Sequence, residues 1–285
     1  VTTSPASLPV NVTYNGGSSA PSAVGSYAVV ATVNHPNYAG SASGTLLITQ
    51  PTNQTQTISF SALAARTYGD GAFTVSATSS SGLPVSFSSG NTSVATVAGN
   101  TVTIVGAGTA VITATQAGDA TYNPASASQT LTVNKASATV SLSGLSATYT
   151  GAAKSVSVTT SPASLPVNVT YNGSSSAPVN AGSYAVVATI TSANYSGSAN
   201  GTLVIGKANQ TISFSALANK TYGDAASSLS GTSSSGLPVS FSSGNASVAT
   251  VSGSTLTVVG AGSVFITAAQ AGNSNYNAAA SVVQT

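Results

Sequence analysis

Residues 158–205 restate residues 1–48 almost letter for letter, and residues 56–116 return, lightly changed, as residues 210–270. A period that long, about twice the size of a small domain, describes tandem modules and not one continuous core. From Val1 to Val158 the offset is 157, and from Gln56 to Gln210 it is 154, because residues 49–55 face only residues 206–209. A length change confined to that place marks a linker. The first copy starts in mid-module, since nothing precedes Val1 that matches residues 136–157, so the chain is expected to be a piece of a longer array.

Two module types alternate. The first type is partial at 1–49 and complete at 136–206; the second runs over 53–133 and again over 209–285, where its last strand is missing. The joints at Asn134-Lys135 and Gly206-Lys207 are only a few residues long, which restricts bending.

Strand-type alternation appears nearly everywhere. Thr101-Val102-Thr103-Ile104, Ser155-Val156-Ser157-Val158 and Val167-Asn168-Val169-Thr170-Tyr171 alternate apolar with polar at period two, as half-buried strands do. Asn15-Gly16 and Asn172-Gly173 suit the positive φ angles of tight hairpins, and Pro84 and Pro238 are expected to open strands. No stretch holds helical spacing over three turns. Short strands in modules of this size predict an all-β chain, a tandem array of small Ig-like β-sandwiches forming an elongated rod.

Particular strings sharpen the expectation. Ser93-Val94-Ala95-Thr96-Val97, followed by Val105-Gly106-Ala107-Gly108-Thr109-Ala110-Val111-Ile112-Thr113-Ala114, resembles the group 2 bacterial immunoglobulin-like domain, and residues 247–268 repeat it. Lys154-Ser155-Val156-Ser157-Val158, Val167-Asn168-Val169-Thr170-Tyr171-Asn172-Gly173 and Ala181-Gly182-Ser183-Tyr184 resemble the MBG-type domain of bacterial surface proteins. The resemblance implies a bacterial extracellular protein, at the cell surface or in a secreted fibre, whose modules act as stalk, adhesin or filament subunit.

Composition narrows the chemistry. Five basic and three acidic residues leave a net charge of +2, with no basic patch to hold a phosphate backbone, so no nucleic-acid partner is expected. Hydrophobic residues make up 41% of the chain, so it should fold, and its solubility must come from the hydroxyls and amides of a sequence with 91 Ser and Thr. No apolar run is long enough to cross a bilayer, so no membrane insertion is expected of this segment. The chain has no cysteine, and this alone does not decide a compartment.

Internal copies test each reactive residue without any alignment. His35 is the sole histidine, and its counterpart is Ser192. Asp70 recurs as Asp224 in Tyr-Gly-Asp, read as a turn whose carboxylate accepts backbone N–H bonds, while Asp119 becomes Asn273. A triad, a paired-carboxylate site or a charged calcium cage would therefore not recur. Lys154 lies in a module without Asp or Glu, and Lys220 is replaced by Arg66 in its copy, which argues against lysine crosslinks. Gly106-Ala107-Gly108 precedes a strand and not a helix, so it is read as a connection and not a phosphate cradle.

Tyr14, Tyr27, Tyr38, Tyr68 and Tyr122 recur as Tyr171, Tyr184, Tyr195, Tyr222 and Tyr276, and are read as core and corner tyrosines; Phe60, Phe87, Phe214 and Phe241 are read as core. Ten Asn-x-Ser/Thr triplets follow from the Ser/Thr content.

The expected protein is not an enzyme: no catalytic, cofactor-binding or metal-binding residue is assigned, and no cofactor. It is a structural repeat region of a bacterial extracellular protein, an adhesin stalk or a self-assembling filament subunit. Its expected partners are neighbouring copies, with strand exchange at the ends, and a cell-surface or matrix component. The alternative is an Ig-like adhesion module binding a glycan or a host or matrix protein through its loops.

Overall fold

A computed structural model describes residues 1–50 and 52–285. Every regular element in the described residues is a strand. The reason is visible in Gly182–Ile190, where Val186, Ala188 and Ile190 are buried and the residues between them are exposed. Only the two-residue period of a pleated strand sorts Ala-Val-Val-Ala-Thr-Ile in this way.

The hairpins close as their turn residues require. Asn15 and Gly16 have φ of 47° and 86°, and Asn172 and Gly173 have 48° and 85°. Two successive positive angles define the turn whose twist matches a hairpin. The asparagine does more than turn the chain. Its Oδ1 accepts the N–H of Ala28 in one copy and of Ala185 in the other, each at 2.7 Å, so the turn is bonded to the next strand.

The two module types share a sheet plan. Residues 66–134 hold a four-stranded sheet ordered Arg66–Thr67, Ala125–Asn134, Gly108–Gln116, Ser86–Ser89. Residues 136–206 build one ordered Ser146–Thr148, Ser198–Gly206, Gly182–Ile190, Val167–Tyr171. In both, the short edge strand runs parallel to the last strand while the other pairs are antiparallel. The register is also shared: Gly108 faces Val133, and Gly182 faces Ile205. Smaller sheets close the sandwich, Phe73–Thr74, Thr101–Ile104 and Ala95–Ala98 in one type and Thr139–Ser143 with Ser157–Ser161 in the other.

Each sandwich has its own core. Val102, Ile112 and Leu131 are fully enclosed in the second module, with Phe60 against Phe87 at 5.6 Å. The fourth repeats this with Ile266 and Ala268, and with Phe214 against Phe241 at 5.2 Å. Leu203, Ile205 and Val186 fill the third.

Among the described residues, four glutamines are buried polar side chains. Gln56 Nε2 donates to Gln116 Oε1 and to the Asn123 carbonyl, and Ser81 Oγ donates to Gln56 Oε1. Gly118 N donates to Gln116 Oε1. Gln210, Gln270, Asn277, Ser235 and Gly272 rebuild the same network. Burial of amides is tolerated because nearly every donor and acceptor is matched.

Three details differ from the sequence reading. The strand expected from Ser155 starts at Ser157, because Val156 N donates to the buried Tyr171 hydroxyl at 3.0 Å and not to a neighbouring strand. The strands after Pro84 and Pro238 begin two residues later, at Ser86 and Ser240. The last strand of residues 209–285 is shortened and not missing: Val282–Gln284 pairs with Ile266–Ala269, where its counterpart Ala125–Asn134 is ten residues long.

Candidate functional site: the joints between modules

The reactive residues occupy structural roles. His35 Nδ1 accepts the Asn37 N–H at 3.2 Å, as Ser192 Oγ accepts the Asn194 N–H at 3.2 Å, so histidine and serine shape the same turn. Asp70 and Asp224 accept the N–H of Thr67 and Thr221 at 2.9 Å, the turn role read from Tyr-Gly-Asp. Asp119 Oδ1 accepts the N–H of Thr121 and Tyr122, and Asn273 Oδ1 accepts those of Asn275 and Tyr276. An amide oxygen does this as well as a carboxylate, which is why the exchange is silent. Lys154 Nζ donates to Thr150 Oγ1, and the Arg66 guanidinium lies 4.4 Å over the Phe73 ring. No group of three metal-ligating side chains is gathered among the described residues.

The side chains that converge do so at the joints. Asn134, the last residue of its strand, accepts the N–H of Tyr68 at 2.9 Å, which fixes Tyr68 at the exit end of the second module. After Lys135, Ala136 N donates to the Asn194 carbonyl at 2.9 Å and Ala136 pairs in parallel with Tyr195. The linker therefore threads between two tyrosine loops. Their rings meet edge to face, Tyr68 against Tyr195 at 5.4 Å and 82°. Beside them Asn194 Oδ1 accepts the N–H of Ala107 at 2.9 Å, and Lys135 Nζ donates to the Ser192 carbonyl at 2.7 Å. Close approach at this turn requires glycine: a Cβ on Gly106 would stand 2.6 Å from the Ser93 carbonyl oxygen.

The next joint repeats these bonds and the ring pair although the module types have changed places, with Asn180 where Gly106 stands. Gly206 accepts the N–H of Tyr149 at 2.8 Å, and Ala208 N donates to the Asn275 carbonyl at 2.9 Å. Tyr149 meets Tyr276 at 5.3 Å and 82°. Asn275 Oδ1 accepts the N–H of Ala181 at 2.9 Å, and Lys207 Nζ donates to the Asn273 carbonyl at 2.7 Å. Asn275 Nδ2 adds a bond to Asn180 Oδ1 at 3.1 Å.

Two hydrogen bonds worth about 1 kcal/mol each and a ring pair worth about 1 kcal/mol favour a closed joint by a factor on the order of 100. The joint ahead of residue 53 has other residues in these places. Thr121 stands where Asn275 stands, and Asn53 takes the place of Lys207, its Nδ2 donating to the Asp119 carbonyl at 3.1 Å.

The core-and-corner reading of the tyrosines holds for some and fails for others. Tyr27 and Tyr184 donate their hydroxyls to the carbonyls of Ala23 and Asn180, four residues upstream, at 2.9 Å, and Tyr171 is buried. Tyr68 and Tyr149 pack against the cores of their own modules and also turn a ring to the joint, whereas Tyr195 and Tyr276 serve the joints and Tyr222 is 70% exposed. The signal lay in comparing the two module types with each other: Thr67-Tyr68 with Thr148-Tyr149, Ala107-Gly108-Thr109 with Ala181-Gly182-Ser183, and Asn194-Tyr195 with Asn275-Tyr276.

The family model of the MBG domain matches residues 1–52 and 138–209. The chain carries MBG-type domains over these residues, within a tandem array of all-β modules. Its MBG modules are the first and third. No curated protein matches the chain. Among solved structures, it is similar to Sidekick-1 immunoglobulin domains 1–5 at 13% identity and a TM-score of 0.35, over 97% of this chain and 72% of that one. It is similar to the N-terminal eight Ig domains of Down Syndrome Cell Adhesion Molecule at 13% identity and a TM-score of 0.32, over 97% of this chain and 45% of that one. It also matches surface layer protein SbsC, domains 4–9, at 14% identity and a TM-score of 0.22, over 96% of this chain and 57% of that one. The chain thus spans less than half the length of the cell adhesion molecule's chain.

Proposed function

We propose that the chain is a non-catalytic spacer of a bacterial extracellular protein, a stalk of stiffly coupled beads that holds another part of the protein away from its anchor. One observation carries this reading. The same joint, with the same ring geometry and the same asparagine-to-amide bond, is built twice between modules of opposite type. A binding loop would vary between copies, whereas this coupling keeps its ring pair and its amide bond although the module types on either side are exchanged.

The units of the stalk are residues 1–49, 53–133, 136–206 and 209–285, with the second and fourth of the group 2 Ig-like type. In support, every strand pair of the described residues falls inside one of these stretches when each is allowed a residue at its edge.

A second reading is assembly into a filament by strand exchange. Electron microscopy of the purified chain separates the two. Separate straight rods support the stalk, ordered fibres with a regular axial repeat support the filament, and rods bent at random at every joint contradict both.

A further inference from the structure

We infer that the coupling at the joints does not read module type: the exit face of an MBG-type module fits the entry face of another MBG-type module, and the second type likewise fits its own kind. In this chain the two types alternate, so like never meets like. Yet both orders of the unlike pair close with the same ring pair and the same asparagine bond. Each type therefore carries an exit face and an entry face of the same pattern, and the third module shows both within one unit.

The exit face comes from a sheet register that the types share. Val133 pairs with both Arg66 and Gly108, and Ile205 pairs with both Ala147 and Gly182. The joint tyrosine follows the first of these partners and the donating alanine precedes the second, which sets Tyr68 beside Ala107 and Tyr149 beside Ala181. The exchange of Gly106 for Asn180 is dictated within the module, since a Cβ at 106 would stand 2.6 Å from the Ser93 carbonyl oxygen.

The entry face is matched by different means. Ser192 Oγ in one type and Asn273 Oδ1 in the other accept the N–H of the joint asparagine, at 3.2 and 2.8 Å. Both residues meet the linker lysine through a backbone carbonyl, at 2.7 Å in each joint. Discrimination between partners needs a clash or an unpaired group against the wrong one. The residues that differ supply neither. At a joint between two MBG-type modules, Ala181 N would donate to Asn194 Oδ1, Tyr149 would meet Tyr195, and Asn180 Oδ1 would accept from Asn194 Nδ2. A stalk coupled in this way can lengthen by one module of either type and stay stiff, because each unit contacts only its neighbours. The inference rests on the reading of the joints as couplings.

A second copy of residues 136–207, inserted after Lys207 of the full chain, creates the like-to-like joint. The chain has no cysteine, so spin labels go only where cysteines are placed. Thr189→Cys in the third module and in the insert should give a distance peak as narrow as that of the Thr103→Cys, Thr189→Cys chain across the joint after Asn134. Tyr195→Ala in the insert should broaden it. A narrow peak between Thr189→Cys of the insert and Thr257→Cys of the fourth module shows that the insert is folded. In the chain without the insert, Ser192→Asn should leave the peak between labels at 103 and 189 unchanged, and Asn180→Ala the peak between labels at 189 and 257. A broad like-to-like peak beside narrow peaks at the existing joints overturns the inference alone, as does broadening by Ser192→Asn or Asn180→Ala. Broad peaks at the existing joints overturn the reading of the joints as well.

Discussion

Tyr68 and Tyr195 lie 127 positions apart in the chain and meet edge to face at 5.4 Å across the joint between two modules; Tyr149 and Tyr276 meet in the same way, also 127 positions apart. Tyr68 and Tyr149 are bonded to the residue before the linker lysine, and Asn194 and Asn275, the neighbours of Tyr195 and Tyr276, to the residue after it. Packing across the joint is thus a consequence of strand register within each module.

Tyr195→Ala removes the ring contact while leaving the cores of both modules intact. The joint should open about fivefold more often, for a loss of about 1 kcal/mol, with the thermal midpoint of each module unchanged. Fluorescence transfer between labels on neighbouring modules, followed beside thermal unfolding, checks both halves.

Asp119→Asn should change stability by less than about 0.5 kcal/mol, because Asn273 already performs the same task with the same two backbone partners. Asp119→Ala leaves the N–H groups of Thr121 and Tyr122 without their acceptor and should cost about 1–2 kcal/mol. Urea unfolding of the two variants distinguishes them.

Gln116→Leu breaks the buried amide network, takes one of the two acceptors from Gln56 Nε2 and leaves the Gly118 N–H without its partner. A loss of about 2–3 kcal/mol is expected for the second module, and Gln270→Leu should do the same to the fourth. Hydrogen exchange resolved by module would show the loss confined to the mutated one.

Gly272→Ala places a methyl group 2.4 Å from the Tyr276 carbonyl oxygen at a φ of +77°. The loop that presents Tyr276 must shift, so the variant should lose about 1–3 kcal/mol of stability and also loosen the joint to Tyr149. A variant that unfolds earlier but keeps the joint closed would separate the two effects.

The fold was legible because it depends on local pattern. Alternation in Thr101–Ile104 and Val167–Tyr171, and the Asn-Gly pairs at 15 and 172, dictate strands and hairpins from neighbouring residues alone. The joints were not legible in the same way. Tyr68 and Tyr122 recur as regularly as Tyr14 and Tyr27, and nothing in their spacing separates a tyrosine that fills a core from one that faces the next module. That distinction depends on where Asn134 and Gly206 leave the sheet, a property of register between distant strands. His35 and the three aspartates could be dismissed as chemistry from their copies, but their use as turn formers required the backbone.

The central claim is that the joints after Asn134 and Gly206 are fixed. Pulsed electron spin resonance on the Thr103→Cys, Thr257→Cys chain, labelled at equivalent positions of the second and fourth modules, measures it directly. One narrow distance peak, broadened by Tyr195→Ala, is the predicted result. A broad distribution already present before that substitution would contradict it.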